Sequence, residues 1–247
     1  MRHTSDIVRR IALPLLLLAV GLVVTGCVRS SPYATQSSFA SVHTAGYRAQ
    51  PASEPKAVFP NGLDRPARLR RATHFVQFRA RNALSYGHAS IAFGPLDHRG
   101  RIPTKSNGDL KPGTIEITGL HPASDSKAVY SAGHIVPVYA STGPSDGDDE
   151  AAYALSTWRI DLTASEFRRL VAIVERRKRT TKFWNGVTSS CVTYLRMIAG
   201  DMGLRTPLTR HLPESFVHKL AKVNGSKGTS RRPKAKRATR RGVARSS

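Results

Sequence analysis

Two residues about a hundred positions apart carry the chemistry this chain could do. In "SYGHASIAFG", residues 85–94, His88 stands between Gly87 and an alternating run. In "TSSCVTYLRMIAG", residues 188–200, Cys191 precedes a run with helical spacing. A cysteine in the first turn of a helix meets unpaired amides and the positive end of the helix dipole, which favour a thiolate. The position therefore predicts a lowered thiol pKa, a nucleophile at Cys191, and amides able to hold an oxyanion. His88, at the rim of a strand, is the candidate base. Both residues have plainer alternatives. A free cysteine often serves as a small buried hydrophobe, and a strand-edge histidine is often polar surface. Tyr86, beside His88, is either an oxyanion donor or a packing residue.

These residues need a scaffold, and the hydrophobic pattern outlines one. A strand is expected at "THFVQFRA" (73–80), with Phe75, Gln77 and Arg79 on one face and Val76 and Phe78 between them. "HASIAFG" (88–94) is a second strand, with Ile91 and Phe93 on one side. A polar loop rich in Gly and Pro follows, then a third strand at "TIEITGL" (114–120). "HIVPVYA" (134–140) reads as a fourth strand, kept to an edge by Pro137. "LSTWRIDL" (155–162) is a fifth. "TASE" (163–166) is a capping box that opens a helix with Phe167, Leu170, Val171 and Val174 on its apolar stripe. Its polar face carries Arg168, Arg169, Arg176, Arg177, Lys178 and Arg179. A second helix starts near Cys191, with Val192, Leu195, Ile198 and Met202 as its stripe and Gly203 as its end. Thr188, Ser189 and Ser190 offer N-caps. The expected fold is α+β, a small antiparallel sheet packed against helices with the cysteine at a helix N-terminus.

A base needs a partner that fixes its tautomer. If the second and third strands pair antiparallel, the position opposite His88 falls near 120–121, which selects His121. Glu116 lies on the same strand nearer its start, and His98 serves only in a tighter hairpin. No metal-ligand spacing, Gly-rich phosphate loop or nucleic-acid motif occurs, so no cofactor and no nucleic-acid partner are expected.

The two ends of the chain have a different character. "MRHTSDIVRR" is basic, "IALPLLLLAVGLVVTG" is apolar, and Cys27 follows. This is the pattern of an export signal, and the apolar run is short for a membrane span. "VTGC" resembles the lipobox of bacterial lipoproteins, which implies cleavage and lipid attachment at Cys27. Val28 stands where an aspartate retains some lipoproteins at the inner membrane, so the resemblance favours the outer membrane. With Cys27 lipidated, Cys191 has no partner within the chain, which points to a reactive or intermolecular thiol. Residues 28–69 are rich in Ser, Ala and Pro and read as a tether. Residues 219–247 hold eleven Lys or Arg and no Asp or Glu, and read as a disordered basic tail. Much of the net charge of +23 therefore lies outside the expected domain, residues 70–218. Such a tail suits an anionic envelope surface.

Gly-His ahead of an alternating strand, "GHASIAFG", resembles the histidine strand of the papain-like NlpC family of cell-wall peptidases and of the lecithin retinol acyltransferase group. The order here is histidine strand first, cysteine helix last, with "WRIDLTASEFRRLVAIVERR" and "SSCVTYLRMIAGDMGLRTP" between and after. That order is similar to the circularly permuted branch. The likeness covers about residues 73–208, and Ser190 stands where many relatives have asparagine. It implies a permuted papain-like domain in which Cys191 attacks a carbonyl, His88 moves the proton and His121 holds His88. On an envelope lipoprotein it implies a membrane-anchored hydrolase of peptidoglycan peptide amides. Lipid acyltransferase or amidase activity of the same fold is the alternative, and a non-catalytic envelope-binding module is a third.

Overall fold

The computed structural model describes residues 56–59, 63, 71–83, 86–208, 212–226 and 229–230. The expected signal segment with Cys27, nearly all of the tether and most of the basic tail lie outside the described residues. The architecture is α+β, as the pattern predicts.

Strand β1 (His74–Arg81) is the centre of the larger sheet. Its alternation sends Val76, Phe78 and Ala80 into the main core, while Phe75 joins Ala92, Leu110 and Ile115 on the opposite face. Both faces are thus covered, which explains why β2 (His88–Pro95) is buried almost end to end. β1 and β2 pair antiparallel with Phe78 opposite Ile91 and Arg81 opposite His88. β3 (Glu116–Gly119) adds to the other edge of β2, with Ser90 opposite Gly119 and Phe93 opposite Glu116. β6 (Ala154–Leu162) flanks β1, and Phe78 stacks on Trp158 at 5.6 Å. β8 (Thr229–Ser230) closes the order β3-β2-β1-β6-β8. A second sheet has the order β4-β5-β7, from β4 (His121–Pro122), β5 (Val138–Ser141) and β7 (Phe183–Trp184).

Helix α2 (Ala164–Thr180) opens with the expected capping box, Thr163 Oγ1 accepting from the Glu166 amide and Glu166 accepting from the Thr163 amide. Leu170, Ile173 and Val174 are its buried stripe, with Phe167 and Val171 partly covered. Its basic face is partly neutralised: Asp201 accepts from Arg177 at 2.5 and 2.7 Å and pairs with Arg176 at 2.9 Å. Helix α3 (Cys191–Asp201) is capped by Ser190, and its stripe of Val192, Leu195 and Ile198 is buried. It ends in a Schellman arrangement, in which Gly203 at φ 86° lets the Leu204 amide reach Ala199 O at 3.0 Å.

Three parts of the chain differ from the sequence expectation. The strand expected at 134–140 forms only in its second half: residues 134–137 are the turn that follows helix α1 (Lys127–Ala132), and β5 starts only after Pro137. The amides of Gly133, Ile135 and Val136 bond back to Val129 and Ala132, and Pro137 has no N–H for a ladder. Helix α4 (Pro213–Val223) runs past the expected domain edge at 218. Pro213 opens it, and Phe216, Val217, Leu220 and Ala221 are buried, while Lys219 and Lys222 stay exposed. The tether is not wholly outside the fold either. Val58 and Phe59 are buried in the core, and the Phe59 amide donates to Met202 O at 2.8 Å. No helix among the described residues is long and apolar enough to cross a membrane.

Candidate active site

His88 is the first residue of β2 and reaches its place through a tight turn. Gly87 adopts φ 87°, and a Cβ there would lie 2.7 Å from Arg81 O. The turn therefore needs glycine both for its backbone angle and for the close approach. The imidazole then lies over β3: a Cβ on Gly119 would be 2.6 Å from His88 Nε2. Two glycines, one in the chain before the histidine and one across the sheet, make room for it.

Cys191 arrives from the other direction. Its helix packs on β2, and its sulfur lies within reach of the amides of Ala89, Val192 and Cys191 itself. Ala89 is the residue after His88, so the first turn of α3 meets the first residues of strand β2. The sequence-based expectation of a lowered thiol pKa fails here. Burial raises it to about 11, and the three amides only partly offset that. Cys191 is 4% exposed. His88 is shifted the opposite way. Burial pushes it down to about 4, opposed by Asp148 and assisted by Arg81 and His121. At neutral pH both groups are thus uncharged, Cys191 as a thiol and His88 as a neutral imidazole.

Of the three candidates for the third position, the structure brings His121 to the site. The observed register, continued from Ser90 opposite Gly119, sets His121 opposite His88, although the chain has already left β3 for β4. The two rings stand edge to face, 6.2 Å between centroids. Their contact is not a hydrogen bond. His121 Nδ1 donates to Pro122 O at 3.0 Å, and the buried Nε2 atoms of both histidines have no hydrogen-bond partner among the described residues. Glu116 lies opposite Phe93, far along β2, and ion-pairs with Lys178 at 3.9 Å. His98 is on the exposed loop after β2, beside Arg99.

The residue that sequence reasoning missed is Asp148. It is 2% exposed, and its Oδ2 lies 3.7 Å from His88 Nε2. Arg81 donates to Oδ1 at 2.6 Å and the Ser145 amide to Oδ2 at 2.9 Å. Asp148 comes from the loop "STGPSDGDDEAA", where nothing in the spacing separates it from Asp146 or Asp149. Only the pairing of Arg81 with His88 at the turn end of the hairpin shows which aspartate is near.

Tyr86 borders the site but does not offer its proton. Its hydroxyl donates to His134 Nε2 at 2.8 Å, because His134 Nδ1 already donates to Tyr130 O at 2.9 Å. Burial pushes the phenol pKa up, with Tyr130 and Cys191 adding to the shift. Asn185 holds the loop before Cys191: its Oδ1 accepts from the amides of Val187 and Thr188, and its Nδ2 donates to Gly133 O at 2.8 Å. Among the described residues, no group of three or more His, Cys, Asp or Glu is arranged to hold a metal ion.

No protein-family model, curated protein or solved structure matches this chain.

Proposed function

We propose that this chain is a cysteine hydrolase of permuted papain-like build, anchored to the bacterial cell envelope through Cys27 and acting on amide bonds of peptidoglycan peptides. The observation that carries the reading is the meeting of two chain segments: the first turn of α3, with Cys191, against the first residues of strand β2, with His88 and the Ala89 amide. Around them stand His121 and a buried carboxylate, Asp148.

The neutral resting pair defines the order of events. Cys191 Sγ attacks the carbonyl carbon while its proton passes to His88, and the amides at the start of α3 receive the oxyanion. The intermediate collapses, the C–N bond breaks, and the leaving amine takes the proton from His88. The thioester is then attacked by water, whose proton goes to His88 and on to the departing thiolate. Asp148 stabilises the transient imidazolium, while Arg81 limits that effect. With its pKa near 4, His88 is unprotonated at neutral pH and so open to the proton, but it is a weak base.

Incubation with muropeptides and with N-acyl lipids tests both the chemistry and the substrate class. Release of amine by the wild type, reduced about a hundredfold or more in His88→Ala and abolished in Cys191→Ala, is expected. Cleavage of the lipids alone moves the reading to a lipid amidase. A second reading, a binding module with a structural cysteine, draws on the 4% exposure and raised pKa of Cys191. It predicts no turnover of either substrate and no covalent adduct at Cys191.

A further inference from the structure

The smaller sheet has an outer face that nothing among the described residues covers. β5 and β7 pair with Val138 opposite Trp184 and Tyr139 opposite Phe183. The pleat sends the first pair inward, where Trp184 is 3% exposed. It sends the second pair outward: Tyr139 and Phe183 stack 5.4 Å apart with 75% and 50% of their surface exposed. The two turns at the same end of this sheet add aliphatic residues. Ile135 and Val136 follow His134, and Val187 follows Gly186. These turns are joined, since the Gly186 amide donates to Gly133 O at 3.1 Å and a Cβ on Gly186 would lie 2.6 Å from the His134 ring. Ile135 is 85% exposed and Val187 75%. Scattered apolar residues on a surface need no explanation, but five large ones gathered on one small sheet and its turns do.

The charge beside this face narrows the occupant. Lys182 immediately precedes Phe183, and Arg179 ends the basic face of α2 one turn earlier. Both are exposed, and neither is ion-paired with a described residue, whereas Arg176, Arg177 and Lys178 on the same helix are paired with Asp201, Glu175 or Glu116. Aromatic and aliphatic tips rimmed by free cations match the boundary between acyl chains and anionic headgroups, where rings sit at headgroup depth and Lys and Arg reach the phosphates. We propose that this face, formed by Ile135, Val136, Tyr139, Phe183 and Val187 with Lys182 and Arg179 at its rim, docks on an anionic lipid bilayer. The contact is made by the folded domain itself. It is independent of lipid attachment at Cys27, of the basic tail and of any catalytic role for Cys191.

Hydrogen exchange of the full chain, read segment by segment, tests this contact. The chain is measured alone, with phosphatidylcholine vesicles, and with vesicles that also contain phosphatidylglycerol. Segments 134–140 and 182–188 should exchange about tenfold more slowly with the anionic vesicles only. The Ile135→Ser, Phe183→Ser double variant should lose that slowing while β1 and β2 keep their protection. The double charge reversal Arg179→Glu, Lys182→Glu touches no core residue and should lose most of it too. Exchange unchanged by anionic vesicles overturns the proposal. So does slowing without vesicles that grows with protein concentration, which would assign the face to a second copy of the chain. Equal slowing in wild type and both variants also overturns it, because the protection would then come from elsewhere in the chain.

Discussion

The two sheets use the same alternation to opposite ends. In the larger sheet Phe75 and Phe78, on opposite faces of β1, are both fully buried, because helices cover one side and the loop after β2 covers the other. In the smaller sheet Val138, Ala140 and Trp184 face inward, and Tyr139 and Phe183 are left in the open. The candidate site lies on the seam, with His88 from the first sheet and His121 from the second. A doubly covered wall holds His88, and a half-covered sheet holds His121. Pre-organised chemistry needs the first kind of surface, and recognition uses the second.

The sharpest way to break the contrast is to remove an aromatic from each sheet. Phe78→Ala should destabilise the protein by about 3–5 kcal/mol, since the cavity opens in a fully covered core. Phe183→Ser should change stability by less than about 1 kcal/mol. Chemical denaturation of both variants measures the difference, and similar losses would mean that the smaller sheet is as integral to the fold as the larger.

Removing the carboxylate at the seam comes next. Asp148→Ala leaves Arg81 and the Ser145 amide without their acceptor and should cost about 3 kcal/mol. Asp148→Asn, which keeps an acceptor oxygen, should recover part of the stability. It should not restore the electrostatic support of a protonated His88. In a turnover assay its rate should therefore fall more than its stability does.

The pH dependence reports on the buried pair without any mutation of the core. The folded pKa of His88, about 4, is below the ordinary 6.5, so the unfolded chain binds more protons between these values. Stability should be full above pH 6.5 and fall as the pH drops towards 4, by up to about 3 kcal/mol from this group. Cys191 works from the other side: its folded pKa of about 11 exceeds the ordinary 9.0, so stability should fall as the pH rises above 9. Melting temperatures across pH, compared with His88→Gln, check the acid limb, which the variant should flatten. An unchanged acid limb would show that His88 is not the group that titrates.

The smallest expected effect is on the thiol itself. Iodoacetamide should label Cys191 slowly below pH 9, because burial keeps it protonated. Labelling that is fast at neutral pH would mean that the site opens in solution.

Periodicity made much of this legible. The β1–β2 hairpin, the β6 strand, the capping box at Thr163 and the helix that starts at Cys191 follow from alternation, from the 3.6-residue repeat and from capping chemistry. The antiparallel register that selected His121 also follows, because in a ladder the residue numbers of partners have a constant sum. Helix α4 was obscured by its charge: Lys219 and Lys222 look like the start of the basic tail, yet Phe216, Val217, Leu220 and Ala221 lie at helical spacing beneath them. Around residues 134–140 a short apolar run was compatible with either a strand or a turn, and hydrogen bonds back to α1 decided it.

The sequence by itself determined the class of fold, the cysteine at a helix N-terminus and the histidine at a strand's first position, since these depend on local pattern and local caps. Tertiary structure decided the protonation states, the neighbours of His88 and the fate of Tyr86. Desolvation, the choice of Asp148 over its neighbours and the hydrogen bond to His134 all depend on which segments pack together, and the pattern within a segment carries no record of that. A helix dipole can be read from a position in the chain, but the burial that outweighs it exists only in the fold.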